Sequence, residues 1–130
     1  MAVEDVVAFV RENHRAVLVT RRRDGRLQTS PIVCGADDRG HVVISVTEDR
    51  AKTKNVRRDP RVTLCVMNDG FFGPWMQLDG HAEIVPLPEA MQGLKDLYRQ
   101  VAGEHPDWDE YEQAMTNDRR VLLRITPDSE

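Results

Sequence analysis

The hydrophobic and polar positions of the chain alternate with two periods, one helical and one typical of strands. Val3, Val6 and Val10 recur at helical spacing near the start. Short apolar runs follow, and turn sequences such as Asp24-Gly25 separate several of them. We predict helices over residues 3–13, 49–60, 88–101 and 107–116, and strands over residues 15–23, 27–34, 41–47, 61–67, 75–85 and 119–125.

This order of elements predicts a mainly β fold with flanking helices. Hairpin turns dominate the connections, so the sheet should be mostly antiparallel. Six strands of this length favour a small antiparallel barrel over an open sheet, because closure removes the exposed edges. The 130 residues correspond to one domain, residues 1–130.

One predicted strand contains a proline, Pro31. Proline has no N–H to donate, so either this position faces away from a partner strand or the strand is interrupted there. An interruption would leave backbone groups free to bind a ligand.

A basic segment follows the third predicted strand. It contains five cations within nine residues, namely Arg50, Lys52, Lys54, Arg57 and Arg58, although the chain as a whole has a net charge of −4. A helix start presents unpaired N–H groups, and cations there are unfavourable for the helix dipole unless an anion lies between them. We therefore predict a binding site for a phosphate or a polycarboxylate. A solvated basic helix face is the alternative that composition leaves open.

The composition narrows the range of partners and compartments. The acidic balance argues against nucleic acid, which is bound through basic surfaces. No apolar run reaches the roughly 20 residues that span a bilayer, so we expect no membrane partner. Cys34 and Cys65 form no CxxC motif, and no signal peptide is visible. We therefore expect a cytoplasmic protein with buried, unreactive thiols.

The sequence shows no catalytic or metal-binding motif. The four histidines lack metal-ligand spacing, and P-loop, GxGxxG and GxSxG motifs are absent. His81 is explained better by a core or surface position in a strand than by catalysis. Trp75, at a strand start, is expected to pack. The apolar loop Phe71-Phe72-Gly73-Pro74 suggests an oligomer interface. A domain without its own acid–base apparatus would let a bound cofactor do the chemistry.

Four stretches carry a resemblance to a known family. They are AVLVTRRRDGRLQTSPIVCGADDRG, ISVTEDRAKTKNVRRDPRVTLCV, WMQLDGHAEIVP and LYRQVAGEHPDWDEYEQAM. Together they resemble the actinobacterial flavin/deazaflavin oxidoreductases of the pyridoxamine-phosphate-oxidase-like split β-barrel superfamily, in the branch that uses coenzyme F420. The blocks RAKTKN…RRDPR and AGEHPDWDEY are the most specific parts of the resemblance.

The resemblance implies a six-stranded split β-barrel of the FMN-binding type that forms a homodimer with two cofactor sites at the interface. It implies a cofactor phosphate held at the start of the short helix and a deazaflavin ring against the backbone of the second strand. The ends of the third and fifth strands would complete the pocket, and a residue before the last strand would reach toward it. The cofactor-binding residues implied are Gln28, Thr29, Ser30, Pro31, Ile32, Val33, Val46, Thr47, Arg50, Ala51, Lys52, Thr53, Asn55, Trp75, Met76, Gln77, Leu78 and Arg119.

The resemblance favours an F420-dependent oxidoreductase that transfers a hydride between the deazaflavin and a small conjugated organic substrate. Its partners would be a second copy of the chain and this substrate, and the proton would come from solvent because no residue stands out as the acid. F420 carries an oligoglutamate tail that Lys54, Arg57 and Arg58 could bind, whereas FMN carries only a terminal phosphate. An FMN-binding oxidoreductase of the same superfamily is one alternative. A non-catalytic carrier of a flavin, deazaflavin or haem group is the other.

Overall fold

The computed structural model of this chain describes residues 2–128. Residues 1, 129 and 130 of the predicted domain lie outside the described part. The helices are α1 (Val3–Glu12), α2 (Ala51–Arg58), α3 (Ala90–Ala102) and α4 (Trp108–Asn117). The strands are β1 (Arg15–Arg21), β2 (Leu27–Ala36), β3 (Val42–Thr47), β4 (Arg61–Met67), β5 (Trp75–Val85) and β6 (Arg120–Pro127).

The six strands form a closed antiparallel barrel in the order β1-β2-β3-β6-β5-β4, with β4 pairing back onto β1. This confirms the predicted fold class. The β1–β2 hairpin turns at Gly25, whose φ of 91° favours glycine. Within residues 2–128, β2 and β3 pair over three residues only, which leaves a stretch of unpaired strand edge between them.

Two apolar clusters hold the barrel and its helices together. The barrel interior is filled by alternate residues of the strands, and Leu18, Ile44 and Leu64 are fully buried there. The second cluster lies outside the barrel, where Leu94 of α3 packs with Leu122 of β6. β3 and β6 are therefore covered on both faces, which places α3 and α4 beside the β2–β3 junction.

β2 and β6 differ from the prediction in their limits. β2 continues to Ala36 because its last residues pair with β3, and the side-chain amide of Gln100 in α3 bonds both backbone groups of Ala36, at 2.8 and 2.9 Å. Gly35 permits this contact, since a Cβ there would lie 2.6 Å from Leu97. β6 begins one residue late because Arg119, with a φ of 54°, is a turn residue.

One expectation about a single residue, the burial of Cys65, is wrong. Cys34 is buried, and burial raises the pKa of its thiol to about 12, but Cys65 is only half-buried on the outer face of the barrel. Trp75 does not pack within this chain, because 63% of its surface is exposed. The exposed loop was predicted correctly: Phe71 and Phe72 are 67% and 92% exposed.

Candidate functional site

The barrel is split between β2 and β3. β2 pairs with β1 from Leu27 to Val33, but it pairs with β3 only through its last three residues, beginning at Cys34. β3 in turn leaves β2 after Ile44. The two strands therefore diverge, and the edge of β2 before Cys34 has no partner strand.

Backbone groups of β2 face this gap. The Cys34 N–H donates to the His14 carbonyl on the β1 side, at 2.8 Å. Because successive residues of an antiparallel strand direct their backbone groups to opposite sides, Thr29, Pro31 and Val33 direct theirs into the gap. Pro31 therefore faces away from its only partner strand, the first of the two alternatives, and β2 runs through it without interruption.

The gap opens into a cleft of about 1130 Å³. Ile32 and Val33 of β2 form part of one wall, and Leu97 and Tyr98 of α3 form part of the other. Met115 of α4 extends the second wall. Side chains of this kind can enclose a flat, apolar ring system, and the unpaired edge of β2 can hydrogen-bond to its polar atoms.

Three cations converge at one end of the cleft: Arg50, Lys52 and Arg120, which we call the anion site. The Nε of Arg120 is buried and has no hydrogen-bond partner among residues 2–128, and the ion-pair oxygen on Asp118 lies 3.9 Å from it. Burial and the neighbouring guanidinium groups of Arg50 and Arg120 lower the pKa of the Lys52 ammonium. Like charges held together with an unsatisfied donor indicate that an anion belongs between them.

The first turn of α2 adds to the anion site. Arg50 is the N-cap residue, no side chain caps the turn, and the turn contains no acidic residue. Its N–H groups and the positive end of the helix dipole are therefore available to an anion. The Thr53 hydroxyl donates to the Thr47 carbonyl at 2.7 Å, which fixes the turn against the end of β3.

A loop closes the other end of the cleft. Phe71 lines it and is largely exposed, with a φ of 64°. Arg15 and Asp69 also line this end and form an ion pair of 3.2 Å between Nε and Oδ1. Both side chains are mostly exposed, so the pair contributes little to stability.

Seven of the implied cofactor-binding residues line this cleft: Pro31, Ile32, Val33, Val46, Thr47, Arg50 and Lys52. Five others adjoin it without lining it: Gln28, Thr29, Ser30, Ala51 and Thr53. Asn55 is buried one turn beyond the anion site, where its amide bonds Thr20 and Arg58. The structure thus brings the second strand, the third-strand end and the helix start together, as the resemblance implies.

The implied residues of β5 lie outside this cleft in a single chain. Met76 and Leu78 point into the barrel core and are 5% exposed. Trp75 and Gln77 point outward and are exposed. Arg119 also lies outside the lining, where it pairs with Asp49 at 3.5 Å.

Several lining residues were missed by the sequence reasoning. Arg120 could have been found from its alternation with Leu122, because both lie on the face of β6 that the helices cover. Tyr98 and Tyr111 lie in predicted helices, but neither was predicted to line a site. Tyr111 donates its hydroxyl to the Leu94 carbonyl at 3.0 Å, and burial raises its pKa.

The rest of the basic segment is engaged elsewhere. Arg57 pairs with Glu48, and Arg58 donates to the Arg21 carbonyl at 2.7 Å and to Asn55 at 2.9 Å. Of the three cations assigned to a cofactor tail, only Lys54 shows no such contact within residues 2–128.

Two negative findings concern the described residues only. Residues 2–128 hold no group of three or more His, Cys, Asp or Glu side chains arranged to bind a metal ion. No helix in this range is long and apolar enough to cross a membrane. His81 is exposed on β5 and contacts Asp128 at 2.9 Å, away from the cleft.

Comparison with known proteins gives one family and many similar folds. The family model described as Pyridoxamine 5'-phosphate oxidase matches residues 2–129. A conserved hypothetical protein from Mycobacterium tuberculosis superposes with a TM-score of 0.79 at 24% identity, covering 98% of this chain and 81% of that one. An F420 reductase superposes with a TM-score of 0.69 at 23% identity, covering 94% and 92%. General Stress Protein 26 from Bacillus anthracis reaches 0.66 at 16% identity, covering 97% and 88%. At these identities the structural matches establish the fold alone.

Proposed function

The chain belongs to the pyridoxamine 5'-phosphate oxidase family, and from this we propose that it is an oxidoreductase dependent on coenzyme F420. The observation that carries the proposal is the cleft in the barrel split, which joins an anion site to an open strand edge between apolar walls. A flavin or deazaflavin combines the same three features: an anionic phosphate, a polar ring edge and a flat ring. The family includes flavin-binding oxidoreductases, which supports this use of the cleft.

The residues present fit such a group. Arg50, Lys52 and Arg120 would hold its phosphate, which would satisfy the unpartnered Arg120 Nε. The backbone of Thr29 and Val33 would bond to the ring edge. When bound, the deazaflavin supplies a hydride donor. The protein binds the cofactor, orients the substrate against it and excludes water.

The substrate would enter beside the wall formed by α3 and α4. Tyr98 and Met115 offer apolar contact there, which suits a small conjugated molecule without a large charge. Tyr111 holds its hydroxyl proton in the bond to Leu94, so we assign it no proton transfer. The proton is proposed to come from solvent.

F420 is preferred to FMN on two grounds. The sequence blocks resemble the F420-using branch, and an F420 reductase is among the structures with this fold. The oligoglutamate tail of F420 adds little to this preference, since Arg57 and Arg58 already have partners within the chain. FMN remains the alternative cofactor, because the family model itself describes a pyridoxamine phosphate oxidase.

We also propose that the protein is a homodimer whose two clefts lie at the interface. Val33, Arg15, Met67 and Trp75 form one row across the outer face of four strands, by their register. Val33 and Trp75 are 50% and 63% exposed, which is a large apolar exposure for a monomer. A twofold contact on this face would bring the start of β5 of a second copy to the cleft, where the family resemblance puts it.

A turnover assay distinguishes an F420-dependent oxidoreductase from a non-catalytic carrier. Reduced F420 is mixed with the protein and a panel of enones and quinones, and the return of the oxidised F420 absorbance is followed. The proposal predicts catalysed oxidation with at least one conjugated acceptor. Tight binding of F420 without oxidation by any acceptor would favour the carrier of a flavin, deazaflavin or haem group.

A further inference from the structure

A polar network with a buried centre runs from β2 through β1 to α2. We define it as Ser30, Gln28, Thr20, Asn55 and Arg58. Gln28 donates to Ser30 at 2.7 Å, Thr20 donates to Gln28 at 2.9 Å, Asn55 donates to Thr20 at 3.1 Å and Arg58 donates to Asn55 at 2.9 Å. The network therefore joins β2, β1 and α2 by side chains alone.

The centre of the network is excluded from water. Thr20 is 0% exposed and Asn55 is 7% exposed. A buried polar group is costly unless every member of its network is paired, whereas apolar side chains could fill the same space without this requirement. Such a network restricts how the joined elements can be arranged, because any shift leaves a donor or an acceptor without its partner.

The network and Thr53 fasten α2 to both sides of the barrel split. Thr53 bonds the carbonyl of Thr47 on the β3 side. Asn55 reaches the β2 side through Thr20 and Gln28. The anion site lies at the start of α2, and Ser30 lies between the residues that direct backbone groups into the gap. The width of the gap at the cleft is thus tied to side-chain bonds on either side of α2.

We propose that Thr20 and Asn55 are positioning residues that hold the anion site and the open edge of β2 at the separation one cofactor molecule requires. Neither side chain touches the cofactor in this scheme. Thr20 supplies one hydroxyl that accepts from Asn55 and donates to Gln28, so it links the side chains of α2 and β2, beside the backbone pairing of β1 with β2 and the bond from Arg58 to the Arg21 carbonyl. The inference rests on the proposed function, since it assumes a ligand that spans both halves.

The test compares Thr20→Val, which removes the hydroxyl at nearly constant volume, with Thr20→Ser, which keeps it. Three ligands are titrated: pyrophosphate for the anion site, a phosphate-free deazaflavin nucleoside for the strand edge, and F420 for both. In Thr20→Val we expect pyrophosphate and the nucleoside each to bind within about twofold of wild type, and F420 to bind at least about tenfold more weakly. F420 loses more because its two parts gain affinity from each other only when both subsites are at the right separation. Thr20→Ser should bind F420 like the wild type.

A merely structural role gives a different pattern. If pyrophosphate binding falls as much as F420 binding, Thr20 supports the anion site itself and the inference is wrong. Unchanged F420 affinity in Thr20→Val overturns it as well. Should Thr20→Val fail to fold, Thr20→Ala removes the same hydroxyl without adding apolar bulk.

A second readout needs no cofactor and so separates this inference from the proposed function. The side-chain amide signals of Gln28 and Asn55 are followed by NMR while pyrophosphate is added. We expect the Gln28 signal to shift with the same Kd as the Lys52 backbone signal in wild type and Thr20→Ser, and to stay fixed in Thr20→Val. If the Gln28 signal of the wild type does not shift when pyrophosphate binds, the proposed coupling between the anion site and β2 is refuted, whichever cofactor the protein uses.

Discussion

Lys52 is the side chain on which the anion site depends most directly, because it is the cation that burial and two guanidinium groups disfavour. A bound phosphate would replace that repulsion with attraction. Lys52 is also the member of the anion site whose pKa the fold lowers. Two predictions at the residue scale follow from this position.

The first is that Lys52→Ala weakens cofactor binding and leaves the fold intact. Loss of one charge-assisted contact to a phosphate should cost about 1.5–3 kcal/mol, or roughly ten- to a hundredfold in Kd. Calorimetric titration with F420 measures this. Arg39→Ala is the control, since Arg39 is an exposed cation outside the cleft lining and outside the basic segment. Equal affinities of wild type and Lys52→Ala for F420 would contradict the proposed anion site.

The second prediction is that the affinity for pyrophosphate falls as the pH rises. The fall should begin at a lower pH than the one at which an exposed lysine loses its proton. Burial and the two guanidinium groups hold the pKa of Lys52 below its ordinary value. The ammonium therefore loses its proton, and the site loses a charge, at a lower pH than an exposed lysine would. A bound anion raises this pKa again, so binding in that pH window takes up protons. Calorimetry in buffers of different ionisation enthalpy detects the uptake. The same uptake in Lys52→Ala would assign it to another group.

At the scale of elements, contact between α3 and the end of β2 sets one wall of the cleft. Gly35→Ala would place a Cβ 2.6 Å from Leu97 and 2.7 Å from the Gln100 amide oxygen. We expect a loss of about 1–3 kcal/mol in the free energy of unfolding, as for other overpacked positions. Urea unfolding measures it. Gly70→Ala, where the closest atom is 3.4 Å away, is the control and should have little effect.

Elements with a local signal were predictable from the sequence. β4 and β5 begin and end at the predicted residues because alternation stops at turn sequences there. The last residues of β2 were not, because Gly35 and Ala36 are strand through long-range contacts, by pairing with Val43 and Val42 of β3 and, at Ala36, by bonding to Gln100 of α3.

The candidate site was predictable in part for the same reason. Arg50 and Lys52 lie in one segment whose charge is visible in the sequence. Arg120 lies far along the chain and joins them only because β6 pairs with β3 in a register that sets it opposite Thr47. The lowered pKa of Lys52 and the orphan nitrogen of Arg120 are likewise products of the fold.

At the scale of the whole molecule, the prediction is that two copies of the chain assemble into a homodimer. We expect light scattering to give about twice the 14.9 kDa of one chain at micromolar concentration. Trp75→Asp should yield monomers, because it replaces the most exposed apolar side chain of this row with a charge that would be buried in the interface. Leu27→Asp, at the far end of the same strand as Val33, should remain dimeric. A stable wild-type monomer would contradict the interface and the role proposed for β5.

The choice of cofactor is the central claim, and parallel titration of the purified protein with F420 and with FMN at equal salt tests it most directly. Absorbance or calorimetry gives both dissociation constants. The account predicts saturable binding of F420 with a lower Kd than that of FMN, and loss of this binding in Lys52→Ala. Tighter binding of FMN would assign the protein to the flavin-using members of its family, and binding of neither would contradict the proposed use of the cleft.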